Sequence, residues 1–199
     1  MKALNKAEAI ILGLLWAIDK PVVRTKLVKM IYLLDNSRYE QLEHTMTGFQ
    51  YHWDRFGPNA VGNAITHTLA DLGGKGVVCM TQKMTPYENF AYSYRAIEVE
   101  AQKLPLADSD WVSIRGIVNQ YGSMRREQVV SESKKTLPVQ SAKQGDILKF
   151  QTHPGHKRLR DSFFADADFV ELTREGMAST EGRISLSALR AEIAQSTVV

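Results

Sequence analysis

Residues 25–35 read Thr-Lys-Leu-Val-Lys-Met-Ile-Tyr-Leu-Leu-Asp, and this run decides the fold of the first half of the chain. Leu27, Ile31 and Leu34 recur four and three residues apart, which is the period of one face of an α-helix. Thr25 is a suitable N-cap, because its side-chain oxygen can accept a free N–H of the first helical turn. The run therefore predicts an amphipathic helix that begins after Thr25. Two lysines lie off its apolar stripe: Lys26 and Lys29.

An earlier helix is predicted before this one, and it ends near Asp19. Its apolar residues are also three and four apart: Leu4, Ala7, Ile11, Leu14 and Ile18. Lys20-Pro21 separates the two helices, because the residue before a proline is pushed out of the helical region. Such a pair is compatible with the opening of a helix-turn-helix or winged-helix unit, in which a later helix enters the major groove of DNA.

An aromatic box follows at residues 49–59. Phe49, Tyr51 and Trp53 alternate with polar residues, and a period of two is typical of a half-buried extended segment. The turn Phe56-Gly57-Pro58-Asn59 ends this segment. Proline fits the first turn of a helix and asparagine can accept a free helix N–H, so a third helix is predicted directly after the turn. The apolar face of that helix is Val61, Ile65, Leu69 and Leu72.

Two β-prone runs come next, and they predict a hairpin. Val77–Thr81 and Phe90–Ile97 are the strands, with turn-forming residues at 86–89 between them. In a winged-helix interpretation this hairpin is the wing. A fourth helix is predicted from an Asp108 cap to Gly122.

The last part of the chain has a less regular pattern. A helix is predicted around residues 124–133 and a short strand at 146–150. Further apolar residues return to the core or form a strand, and Ser185 caps a last helix. Those apolar residues are Phe163, Phe164, Phe169, Val170 and Leu172.

The predicted elements describe an α+β fold, a mostly helical single domain with a small antiparallel β-hairpin. A winged-helix arrangement remains open for its N-terminal half. Residues 1–135 form the helical domain, and residues 136–199 form a C-terminal extension packed on the same core.

The composition indicates a globular cytoplasmic protein. The chain has 199 residues, of which 44% are hydrophobic and 24% charged, with a formal net charge of +3. The longest apolar run, Ala9–Ile18, is too short to cross a hydrocarbon layer of about 30 Å, so no membrane partner is expected. Cys79 is the single cysteine, which agrees with a reducing compartment.

No motif for catalysis or cofactor binding is found. The glycine-rich Gly73-Gly74-Lys75-Gly76 lacks the spacing of a phosphate loop, and no two histidines have the i, i+4 spacing of a helical zinc site. We therefore expect no enzyme activity, no cofactor and no metal.

Basic residues are concentrated late in the chain. They include Lys149, Lys157, Arg158 and Arg160, which are candidates for contact with nucleic acid or an acidic partner. A solvated face, balanced by nearby acidic residues, is the interpretation we prefer.

The helix at residues 25–35, together with the aromatic strand and the Arg55-Phe56-Gly57-Pro58-Asn59 turn, resembles the SocA/Panacea family of antitoxin-associated domains. Ile65 and Leu69 of the following helix extend the resemblance. A fainter likeness covers Ile114–Val129, so about two-thirds of the chain is involved in outline.

This resemblance implies a mostly helical α+β domain that neutralises a toxin by direct binding, often in a two-gene or phage-associated setting. It implies no catalytic residue and no cofactor. Tyr51, Trp53, Arg55 and Phe56 are the predicted partner-binding residues, because aromatic and arginine side chains are enriched in interface hot spots. Core packing is the alternative role for the aromatic strand. The alternative function is that of a winged-helix DNA-binding transcriptional regulator, and the oligomeric state stays open.

Overall fold

The computed structural model of the chain describes residues 3–84, 90–97 and 100–151, which form a mixed α+β fold, as predicted. The helices are α1 (Lys6–Ile18), α2 (Arg24–Leu42), α3 (Ala64–Gly74), α4 (Asp108–Tyr121), α5 (Arg126–Lys134) and α6 (Leu137–Gln140). The strands are β1 (Val22–Val23), β2 (Tyr51–Asp54), β3 (Gly57–Ala60), β4 (Val78–Met84) and β5 (Phe90–Ala96). Within the described ranges, no helix is long and apolar enough to span a bilayer.

The strands form two small antiparallel sheets. β1, β5 and β4 lie side by side in that order, and β2 pairs with β3. The predicted β4–β5 hairpin is confirmed, with Met80 opposite Tyr94 and Met84 opposite Phe90. Its predicted turn, residues 86–89, lies outside the described residues.

Helix α2 is the central element of the core. It packs against α4, α5, β1, β3 and β5, and every residue from Lys26 to Asn36 is buried. Lys26 and Lys29 do lie off the apolar stripe, but they are only 8% and 3% exposed. The neighbouring elements cover the polar face of the helix as well as its apolar face, so both lysines need partners inside the protein.

Two predicted caps are wrong in detail. α2 begins at Arg24 with Val23 as its N-cap, and Thr25 makes no capping hydrogen bond. Val22 and Val23 pair with β5 directly before the helix, which sets its start two residues earlier than predicted. α4 begins at Asp108, and its capping carboxylate is that of Asp110, which accepts the N–H of Ala107 at 3.0 Å.

The Gly57-Pro58-Asn59 part of the predicted turn lies in strand β3, and no α-helix starts directly after it. Gly57 has a φ of +91°, a left-handed conformation that L side chains rarely adopt, and it lies where the chain reverses after Phe56. Residues 57–60 then pair with β2, with Pro58 opposite Trp53. The third helix is therefore delayed to Ala64, although its predicted apolar residues Ile65, Leu69 and Leu72 are buried.

A buried carboxylate fixes the segment between α2 and β2. Asp35 accepts hydrogen bonds from the backbone N–H groups of Met46 and Thr47 at 2.8 and 2.9 Å. It also accepts from the hydroxyls of Thr47 and Tyr51, the latter at 2.7 Å. Four donors from one loop and one strand therefore converge on a single side chain of α2.

Lys26 has the corresponding role at the other end of the buried segment. Its ammonium donates to the carbonyl oxygens of Gly122 and Met124 at 2.8 and 2.7 Å. These carbonyls follow the last turn of α4, where backbone acceptors lack helical partners. Lys26 therefore binds the α4–α5 connection to the central helix.

The chain after α5 continues to pack on this core. Val139 and Leu148 are buried, and the ring of Phe150 stacks on Tyr32 and Tyr39. The strand predicted at 146–150 is reduced to one bridge, between Ile147 and His52. The elements predicted beyond residue 151, including the apolar run from Phe163 and the helix capped by Ser185, lie outside the described residues.

We expect Asp35→Ala to lower the free energy of unfolding by about 3 kcal/mol, because it leaves buried donors without an acceptor. Asp35→Asn keeps one acceptor oxygen and should cost about 1 kcal/mol. Asp71→Ala, on the exposed face of α3, is the matched control and should change stability by less than about 0.5 kcal/mol. Urea titration gives all three values, and equal losses for the Asp35 and Asp71 alanine variants would contradict the assigned role.

Candidate functional site

The tip of the β2–β3 hairpin is the exposed part of the aromatic box. Arg55 and Phe56 form the two-residue loop between the paired residues Asp54 and Gly57. The Phe56 side chain is 60% exposed, and the guanidinium carbon of Arg55 lies 5.4 Å from the centroid of its ring. This is a cation–π contact. The loop thus presents the aromatic ring of Phe56 and the guanidinium group of Arg55 at one turn.

The other two predicted partner-binding residues lie deeper. Tyr51 is fully buried, with ring centroids 5.2 Å from Tyr32 and 5.8 Å from Phe150. Trp53 is partly buried and packs against the core. A side chain with no accessible surface cannot anchor a partner, so Tyr51 has the packing role that was its alternative. Arg55 and Phe56 are the residues that the structure places at the surface.

A pocket of about 180 Å³ lies beside the hairpin tip, and we call it the hairpin pocket. Helix α2 and the β2–β3 hairpin supply its lining: Arg24, Thr25, Val28, Lys29, Asp54, Phe56 and Asn59. The Lys29 ammonium donates to the carbonyl oxygen of Pro58 at 2.5 Å. Lys29 therefore fixes the hairpin against α2 and contributes a cation to the pocket.

Burial makes the positive charge of the Lys29 ammonium unfavourable. Desolvation by burial lowers the pKa of its ammonium from 10.5 to about 8. The carboxylate of Asp54 opposes this shift, and the positive charge of Lys134 adds to it. Lys29 is still mainly protonated at neutral pH, and one neutral carbonyl is its hydrogen-bond acceptor within the described residues.

The cluster around Asp35 also contains perturbed groups. Burial raises the pKa of the Asp35 carboxyl against the opposing effect of its donors, and burial likewise raises the pKa of the Tyr32 and Tyr51 hydroxyls. The hydroxyl of Tyr32 is 2.6 Å from that of Thr136. Because the chain itself supplies hydrogen-bond partners to each of these groups, we assign the cluster a structural role.

The predicted basic contacts are only partly described. Lys149 is exposed, whereas Lys157, Arg158 and Arg160 lie outside the described residues. α3, which precedes the wing-like hairpin, would enter DNA in a winged-helix mode. Its exposed residues include His67, Ala70 and Asp71 but no lysine or arginine, which gives phosphate no cationic partner on this helix.

One exposed apolar surface was not predicted. Met80, Met84 and Phe90 lie on one face of the β4–β5 hairpin and are 55%, 67% and 52% exposed. Met80 and Met84 are four residues apart in one strand and therefore share a face, but polar Gln82 lies between them on that face, so the sequence shows no regular alternation there. The same face is buried at Val78 and Tyr94, so the apolar surface continues outward from the core.

No group of three His, Cys, Asp or Glu side chains that could hold a metal ion occurs within residues 3–84, 90–97 and 100–151. The chain matches no protein-family model, no curated protein and no solved structure. The resemblance to SocA/Panacea domains therefore depends on the residues quoted above and on nothing further.

We expect the stability difference between the wild-type chain and Lys29→Met to change with pH. Above pH 8 the folded protein releases the Lys29 proton, whereas the unfolded chain keeps it until about 10.5, so unfolding takes up a proton. The wild type should therefore gain about 1 kcal/mol relative to Lys29→Met between pH 7 and pH 9. Denaturant titrations at both pH values measure this gain.

Lys83→Met is the matched control, because it removes one lysine charge from an exposed strand position. Its stability difference from the wild type should vary less over the same range. A Lys29→Met difference that stays constant from pH 7 to pH 9 would show that the ammonium is not desolvated in the folded protein.

Proposed function

We propose that this chain is a non-catalytic protein-binding domain, an antitoxin or adaptor that neutralises a partner toxin by direct contact. The resemblance to SocA/Panacea domains supports this function. The observation that carries it is the exposed Phe56 ring, with Arg55 over it, at the edge of the hairpin pocket.

Phe56 and Arg55 suit a binding anchor because their positions are set before a partner arrives. The two strands that flank the loop are paired, and Lys29 bonds the second strand to α2. A residue held in this way loses little conformational freedom on binding, which leaves more of the interaction energy as affinity. An exposed phenylalanine also gains free energy when a partner removes it from water.

A DNA-binding function has less support. The exposed face of α3 has no cation in the described structure, and the net charge of the chain is only +3. The remaining candidates for phosphate contact begin at Lys149 and continue into residues outside the described ranges.

The test is co-expression with the product of the adjacent gene. We expect the wild-type chain to relieve growth arrest caused by that product and to bind it after purification. Phe56→Ala should weaken binding about thirtyfold, since central interface anchors contribute about 2 kcal/mol or more. Calorimetry on the purified pair measures the loss.

Phe90→Ala is the matched control, because it removes an exposed phenylalanine from the other hairpin. If Phe90→Ala abolishes binding and Phe56→Ala does not, the function stands but the binding site is on β4–β5. If the wild-type chain neither binds the adjacent gene product nor relieves its toxicity, the proposed function is wrong.

Salt dependence separates this function from DNA binding. An interface built on the apolar Phe56 anchor should weaken by less than about tenfold between 50 and 200 mM salt. A duplex held through six or more phosphates would weaken by about a thousandfold or more over that range. Tight, strongly salt-dependent binding to promoter DNA would favour the regulator.

A further inference from the structure

Lys29 lines the hairpin pocket, and within the described residues its ammonium has one hydrogen-bond acceptor. A lysine ammonium has three donor hydrogens. That acceptor is the carbonyl oxygen of Pro58, and Lys29, unlike Tyr51, lines the pocket with the 3% of its surface that is exposed. A buried charge is costly unless acceptors surround it, so a further acceptor at this position would stabilise it.

The charged groups near Lys29 do not supply this further acceptor. Arg24 is a second cation in the pocket lining, and Lys134 of α5 adds a repulsive charge. Asp54 attracts the ammonium, but it lies beyond ion-pair distance, and its Oδ1 accepts the Arg55 N–H at 2.6 Å. Two cations and one carboxylate line the pocket, which therefore has a net positive charge.

The size of the pocket limits what can enter it. Sites for whole small-molecule ligands commonly occupy about 300–1,000 Å³. The hairpin pocket has about 180 Å³, which suits one side chain of a larger partner. The exposed Phe56 ring forms one wall, so a residue next to the inserted side chain would meet an apolar surface.

We propose that the hairpin pocket receives an aspartate or glutamate side chain of the partner protein, with a neighbouring apolar residue against Phe56. The carboxylate accepts hydrogen bonds from Lys29 and Arg24, and such charge-assisted bonds are stronger than neutral ones. This inference rests on the proposed function and adds the chemistry of the partner. The pKa of Lys29, about 8, keeps the ammonium charged at neutral pH for this contact.

A peptide display selection tests the inference without knowledge of the partner. The purified full-length chain is the bait, and the consensus binder is synthesised together with variants in which each acidic residue is replaced by its amide. We expect replacement of one acidic residue, Asp→Asn or Glu→Gln, to raise the Kd about tenfold. That penalty should become smaller against Lys29→Met and against Arg24→Gln, because each variant removes one of the two donors.

Arg24→Gln keeps the test valid if Lys29→Met fails to fold, because Arg24 is only partly buried. Lys83→Met, which removes an exposed charge, should leave the amide penalty unchanged. A penalty that persists at full size in Arg24→Gln would overturn the carboxylate assignment.

The outcomes also separate this inference from the proposed function. If Phe56→Ala weakens the selected peptides but no amide replacement does, the carboxylate assignment is wrong and protein binding at the tip is retained. If the selection yields no binders, or binders that tolerate Phe56→Ala, the hairpin pocket is not the peptide site and the inference fails. In that case the co-expression experiment decides the proposed function independently.

Discussion

Burial of residues 26–36 of α2 on all faces is the constraint on which the rest of the structure depends. Three charged side chains of this segment have to find partners inside the protein: Lys26, Lys29 and Asp35. Each is paired with a different region, namely the end of α4, strand β3, and the loop leading into β2. Burying charges is unfavourable in itself, so these pairs specify where each element docks.

The three anchors differ in how well they are compensated. Asp35 accepts from four donors and Lys26 donates to two carbonyls, so each has its charge largely balanced by hydrogen bonds. Lys29 has one partner and faces a pocket. The least satisfied of the three charges is thus the one next to the exposed aromatic tip. That coincidence links the packing of α2 to the binding role that we propose.

Much of the fold was accessible from the sequence because it depends on local periodicity. The spacing of Ile65, Leu69 and Leu72 predicted α3, and the β-prone runs predicted the β4–β5 hairpin. The Gly57-Pro58-Asn59 segment was misassigned because proline and asparagine are common both in turns and at the start of helices. Pairing with β2 and the hydrogen bond from Lys29 of α2 to Pro58 decide between these roles, and the second contact joins residues distant along the chain.

The candidate site was predicted only in part, because burial along the aromatic strand depends on residues that are distant in the sequence. Alternation identified the aromatic strand, but it cannot say which end of a strand lies in the core and which at a turn. Burial of Tyr51 and exposure of Phe56 follow from the position of α2 and of Phe150, nearly one hundred residues later in the chain. The importance of Lys29 was likewise hidden, because a lysine off an apolar stripe is usually solvated.

Gly57 has a consequence for how this surface can diversify. Its left-handed backbone favours glycine, whereas neither Arg55 nor Phe56, the two residues before it, has a positive φ. Glycine at this one position thus sets the direction of the loop, and the backbone of the two positions before it accepts other residues. Under the proposed function, replacement of those two residues is a route to a new partner specificity on an unchanged scaffold.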